Sequence, residues 1–301
     1  MRDTRRGFGY GLAAYTIWGL FPLYWPLLDP TPAIQILAHR MVWSLVFIGA
    51  LLAARRRWAF VAELRHDLRR AGLLVLAGLL ISVNWGVYIW AVNAGHVVEA
   101  SLGYFITPLV NIGLGVLILK EHLQRTQWAA VGVGVAAVLV IAVGYGQVPW
   151  IGLSLAASFG GYGLVKKVAH TPALESLGIE TSVMALPAIA YLIFVNARGY
   201  GSFGHVSAGM DLLLMSSGVV TGIPLLFFAA GARRVPLSVM GMLQYITPVL
   251  QFLIGIFLRH EAVSAFELAG FVLVWMALAI LGIGELRQWG RTPRAAVLAA
   301  P

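Results

Sequence analysis

No cysteine occurs among the 301 residues. That excludes disulfides, thiolate nucleophiles, Cys-ligated zinc and iron–sulfur clusters. Charge is almost as scarce, at 11% of residues against 60% hydrophobic ones, with a mean hydropathy of +0.85. A soluble globular chain carries roughly 25% charged residues, so a chain this apolar has hydrocarbon as its solvent. Acids are rarer than bases, 12 Asp and Glu against 21 Lys and Arg. In a membrane protein such a surplus orients the chain and meets anionic headgroups, so no nucleic-acid partner is expected. No Walker motif, HExxH or GxSxG is present. The glycines of Gly7–Gly11, and Gly132 with Gly134, lack the strand–turn–helix setting of a phosphate loop. Neither a metal nor a cofactor is expected.

What is present is a series of apolar runs. Ten can be counted, near 8–27, 33–54, 71–94, 97–119, 127–144, 148–168, 174–196, 211–232, 236–258 and 265–286. Each approaches the roughly 20 residues that cross a bilayer as a helix, and most connections are only a few residues long. The first run has no small-residue cleavage site after it and reads as a retained membrane helix rather than a signal peptide. With the N-terminus inside, eighteen of the 21 Lys and Arg fall in inside segments; two, Arg198 and Arg259, lie outside and Arg40 lies within a span. This bias places both termini in the cytoplasm and requires an even number of spans. The longest connection, Arg55–Arg70, reads as a solvated basic turn; its alternative is a short helix on the anionic inner leaflet.

A repeat organises these runs. Thr107–Glu121 is TPLVNIGLGVLILKE and Thr247–Glu261 is TPVLQFLIGIFLRHE, 140 residues later. Five crossings separate equivalent points, and an odd number reverses direction. The expected fold is therefore all-α, with ten transmembrane helices as a 5+5 inverted-topology repeat, residues 1–146 and 147–301.

The candidate functional residues lie deep in the runs. Pro108 and Pro248 fall near mid-span, where a missing N–H frees the carbonyls of Tyr104 and Gln244. Freed carbonyls at that depth need protein or a watery cavity, so both helices are expected to be interrupted at a central site. Arg40 is costly within a span, by about 2.5–3.5 kcal/mol, and faces either a substrate anion or an acid. Glu99, at similar depth, is the favoured acid. Glu180 is either a proton-coupling carboxylate or the salt-bridge partner of Lys166 or Lys167, and the neighbouring His39 can titrate. Asn84 and Tyr88 share a helix face, and with Trp18 and Tyr162 they would suit an amphipathic small molecule.

Several stretches carry a family resemblance: Glu99–Gly115 (EASLGYFITPLVNIGLG), Ile89–Asn93 (IWAVN), His39-Arg40 before Trp43-Ser44, Tyr162–Lys167, Ile179–Thr181, and Gln244–Ile246 before Pro248. Together they resemble the RarD-like branch of the EamA family, within the drug/metabolite transporter superfamily. Lys166 stands where that branch is expected to carry Arg, with charge retained. The resemblance implies a bacterial inner-membrane carrier with a five-plus-five repeat and alternating access around a central cavity. The fifth and tenth helices would be peripheral and transport secondary, with a link to chloramphenicol sensitivity. The expected activity is export of small amphipathic metabolites or drugs. A channel is the alternative, and a membrane-embedded enzyme built on His39 and Arg40 would need an acid–base constellation that the sequence does not display. Composition leaves substrate, coupling ion and oligomeric state open.

Overall fold

The computed structural model describes residues 2–56, 58–120, 125–146, 148–232, 234 and 243–289. Among them every regular element is helical. The chain runs α1 (Arg2–Gly19), α2 (Phe21–Tyr24), a 3₁₀ turn (Trp25–Leu28), α3 (Ala33–Ala54), α4 (Ala59–His66), α5 (Leu68–Asn93), α6 (Val97–Leu119), α7 (Arg125–Tyr145), α8 (Trp150–Ala169), α9 (Ala173–Ala197), α10 (Ala208–Ala232), α11 (Ile246–Leu253, extended by a π-turn over Ile254–Leu258) and α12 (Ala265–Trp289). Five of these, α3, α5, α6, α9 and α10, are long and apolar enough to span a bilayer; Trp128–Gly144, Ile246–Leu258 and Ala265–Ile280 are shorter apolar helices. Helices suit such a chain because they satisfy their backbone groups internally.

Prolines set many boundaries. Pro22 and Pro26 each sit in the opening positions of a short turn, where a missing N–H leaves nothing unpaired, and they break the first run into α1, α2 and the 3₁₀ turn. Pro32 and Pro172 precede α3 and α9 with nearly the same backbone, φ −58° and −57°, ψ 142° and 146°. The expected bounds 33–54 and 97–119 coincide with α3 and α6. The reading of Arg55–Arg70 as a turn is corrected: Ala59–His66 is helical, because Val61 and Leu64 recur at helical spacing on one side. Phe60 packs into the cluster of Ile48, Leu52 and Leu177.

The expectation of two interrupted helices is also corrected. α11 starts only at Ile246, so Pro248 lies in its first turn and the break falls just before it. α6 instead runs unbroken through Pro108. A proline removes one hydrogen bond, and the Thr107 hydroxyl holds the turn by donating to the Gly103 carbonyl at 3.0 Å. Glu121 and residues 236–242 of the ninth run lie outside the described residues.

Contacts place eight helices in a cycle: α1, α10, α3, α9, α5, α8, α6, α11 and back to α1. Each neighbour in that cycle comes from the other half of the chain. α7 and α12 pair with each other outside it and lean on α6. Glycines permit the closest approaches. A Cβ on Gly78 of α5 would lie 3.3 Å from the Glu180 carbonyl of α9, and one on Gly218 of α10 would lie 2.6 Å from the Ser44 nitrogen of α3.

The starts of α3, α6, α8 and α12 and the close of α5 share one end of the bundle, tied by polar caps. Glu261 accepts from the Val97 and Val98 backbone N–H groups, both at 2.8 Å. Ser264 and Glu267 form a reciprocal capping box on α12 at 2.6 and 3.1 Å. The Gln35 amide holds the α9–α10 loop by donating to the Tyr200 carbonyl at 2.8 Å and accepting from the Ser202 N–H at 2.9 Å. The opposite end carries Arg55, Arg56, Arg70 and Lys166.

Gly218→Val is expected to force α10 off α3 at a cost of about 1–3 kcal/mol. Thermal melting of the purified protein would check it, with Gly49→Ala, whose Cβ meets nothing within 4 Å, expected to stay at the wild-type value.

Candidate functional site

Arg40 is the centre of the site. Its placement follows from Pro32: α3 starts at Ala33, so seven residues of rise put Arg40 about 10 Å below the capped end. It is 2% exposed. Its guanidinium carbon lies 3.8 Å from the Trp85 ring centroid, 4.9 Å from Trp25 and 5.7 Å from Phe21. Such stacking favours a desolvated cation by about 2 kcal/mol. Tyr104, Tyr88 and Tyr24 are the polar side chains near enough to act on its charge. Its Nε and Nη1 make no hydrogen bond.

A polar ladder runs beside it. Tyr104 donates to Asn84 Oδ1 at 3.1 Å, and Asn84 Nδ2 donates to the Leu155 carbonyl at 3.0 Å and to Ser158 Oγ at 3.1 Å. The Tyr88 and Tyr104 rings meet edge to face at 5.6 Å. Tyr88 faces the Gln251 side chain, yet neither the Tyr88 hydroxyl nor Gln251 Oε1 has a hydrogen-bond partner. Tyr24 reaches the Leu213 carbonyl at 2.7 Å and Ser216 Oγ at 2.8 Å. Arg40, Asn84, Tyr88 and Tyr104 therefore come together, with α3, α5 and α6 supplying them.

The other expected residues lie elsewhere. Glu99 does not pair with Arg40: it sits in the first turn of α6, some 7 Å nearer the capped end by helix rise, in the neighbourhood of His96, the Ile151 backbone and Glu267. Counted from the two helix starts, Arg40 is the eighth residue and Glu99 the third, so the two side chains do not share a depth. His39 stacks on Phe203 at 5.2 Å beside a cavity of about 200 Å³ lined also by Gln35, Leu192 and Asn196. Trp18 packs with Tyr15 and Phe228, and its carbonyl accepts from Gln251 at 3.3 Å. Gln244 is half-buried just ahead of α11.

Tyr162 and Glu180 form a second cluster toward the basic end. Glu180 is 1% exposed. It pairs with Lys166 at 2.8 Å and accepts from Ser176 at 2.5 Å and from Tyr162 at 3.1 Å. Ser176 also accepts from Lys166. Here the salt-bridge alternative for Glu180 is the one formed. Ser176, Gln35 and Gln251 were not expected as functional neighbours. Their signal is the 140-residue offset, which also aligns Thr31-Pro32-Ala33 with Thr171-Pro172-Ala173 and so sets Ser176 in register with Ile36.

Residues 5–143 match the model of the EamA-like transporter family. Protein RarD of Streptomyces exfoliatus is 53% identical over 299 residues, covering 99% of this chain and 95% of that protein. The protein named Uncharacterized transporter YojE of Bacillus subtilis is 44% identical, covering 97% of this chain and 98% of its own length. A crystal structure 19% identical in sequence superposes with a TM-score of 0.60 over 94% of this chain and 98% of its own, which shows a shared fold. The chain belongs to the EamA-like family of membrane transporters, on its RarD-like branch.

Removing one partner of a buried ion pair leaves an uncompensated charge, at about 3–5 kcal/mol. Lys166→Met should lower the melting temperature markedly, and Lys166→Met with Glu180→Met should recover much of the loss. Melting curves of the two variants would decide.

Proposed function

We propose that this protein is a secondary carrier of small amphipathic metabolites or drugs, working by alternating access and moving its substrate outward across a bacterial inner membrane. It has ten spans, with residues 1–146 and 147–301 as antiparallel halves and both termini cytoplasmic. The observation that carries the reading is Arg40: a buried guanidinium with unpaired Nε and Nη1, inside a cycle of helices drawn alternately from the two halves. A charge at that depth normally faces a partner or a solvated path.

Three further features support antiparallel halves. The contacts that close the cycle keep their pattern when each helix of the first half is exchanged for its equivalent in the second: α1 on α10 becomes α8 on α5, and α3 on α9 and α6 on α11 map onto themselves. Gly78 and Gly218, 140 residues apart, each let their helix close on the equivalent neighbour, α5 on α9 and α10 on α3, about one turn apart in register. Lys120 and His260, also 140 apart, both end their helices in the left-handed conformation, at φ 55° and 53°. Glu261 bonds the start of α6, whereas Lys120 lies at its far end, so equivalent points sit at opposite ends. The basic end, with Arg55, Arg56, Arg70 and Lys166, is the cytoplasmic one by charge bias. His39 stands at the mouth nearer the outside, and Glu180 is the carboxylate best placed to couple a proton once Lys166 leaves it.

Because the chain has no cysteine, single cysteines report their own side. Lys120→Cys should react with an impermeant maleimide from the cytoplasm and His260→Cys from outside; labelling both from one face would remove the inverted repeat. Reconstituted protein should give saturable flux with counterflow across a metabolite and drug panel, reduced at least tenfold by Arg40→Ala. Ohmic current instead would identify a pore.

A further inference from the structure

The repeat relates two charges that the composition gives no reason to pair. Arg40 is the eighth residue of α3 and Glu180 the eighth residue of α9, each after a Thr-Pro, and their numbers differ by the same 140. Both are buried, at 2% and 1% exposure. Their surroundings differ. Glu180 is fully answered from within the chain, by Lys166, Ser176 and Tyr162. Position 26, which is to Arg40 as Lys166 is to Glu180, holds Pro26, and position 36, the equivalent of Ser176, holds Ile36. Neither side chain offers a polar group. Arg40 is left with aromatic faces and tyrosine hydroxyls, and with Nε and Nη1 unbonded.

A cation that the fold leaves unanswered at a position where the other half supplies a complete partner set takes its partner from outside the chain. We infer that Arg40 is the subsite for a carboxylate on the transported molecule, a small monoanion with an apolar ring or chain. The carboxylate accepts from the guanidinium. The Tyr88 hydroxyl, close to the Arg40 charge, faces the Gln251 side chain without either oxygen completing a hydrogen bond, and the two bond the polar edge of the same molecule. The rings of Tyr88, Tyr104 and Phe159, at 5.6 and 6.0 Å from one another in sequence, receive its apolar body. A guanidinium already stacked on Trp85 is held flat, with its N–H edges directed in-plane, so a planar carboxylate fits it better than a spherical ion. This rests on the carrier reading and adds the chemical class of its substrate.

The test uses the full chain in phosphatidylcholine nanodiscs, where no anionic headgroup competes. Phenylacetate is compared with phenylacetamide, hexanoate with hexanamide, and inorganic phosphate is added as a third probe. Binding is read by calorimetry and by tryptophan fluorescence, since Trp85 and Trp25 touch the guanidinium. Each carboxylate should bind about tenfold or more tighter than its amide, the usual effect of one charged hydrogen bond. Arg40→Gln should erase that preference, and Arg198→Gln, on an exposed loop, should keep it. Should Arg40→Gln fail to fold, the wild-type comparison alone decides. Equal binding of acid and amide in both pairs, or tighter binding of phosphate, overturns the assignment. So does competition with phenylacetate when phosphatidylglycerol is added, because the anion would then be a lipid headgroup. Saturable counterflow of neutral solutes without acid preference would overturn the subsite and leave the carrier standing. Acid-selective binding with no flux would do the reverse.

Discussion

In hydrocarbon, a polar group without a partner costs far more than it does in water, and this constraint shapes nearly every element described above. It makes every regular element among the described residues helical. It places Glu261 across two free N–H groups at the start of α6, and it surrounds Glu180 with three donors. Against that background the guanidinium of Arg40 stands out, because its stacking partners stabilise the charge without filling its hydrogen bonds.

Much of the fold was legible because the same constraint writes itself into composition. Runs of about 20 apolar residues read as helices of spanning length, as α3, α5, α6, α9 and α10 are, and Pro32 stops the chain from entering α3 earlier, so the boundary at Ala33 could be read directly. The turn at Pro108 was misread because a proline's effect depends on its neighbours. The Thr107 hydroxyl adds a bond of its own to the Gly103 carbonyl in the same turn, and nothing in a hydropathy pattern reveals that. α4 was misread because a basic, half-apolar octapeptide is neutral between turn and helix until Phe60 finds Ile48 and Leu177 to pack on.

The site was legible in part. Asn84 and Tyr88 announced themselves by helical spacing, and Arg40 by its cost. Glu99 does not answer Arg40 because it is only the third residue of its helix while Arg40 is the eighth of its own, an offset that calling both simply near the outer end conceals. The neighbours that matter, Trp85, Trp25 and Tyr24, are scattered over 61 residues of sequence between Tyr24 and Trp85 and meet only through packing. The Thr-Pro-Ala pair at 31 and 171 was the clearest unread signal; it fixes the common register of Arg40 and Glu180 that a single charge inventory cannot show.

The amide of Gln35 binds its loop as a neighbouring strand would, one bond to the Tyr200 carbonyl and one to the Ser202 N–H. A side chain that reads two backbone groups two residues apart is a ruler. The exposed face of that loop is free to drift in sequence, but an added or lost residue between Tyr200 and Ser202 would unseat the joint between α9, α10 and α3. The joint depends on the length of this surface connection rather than on its chemistry.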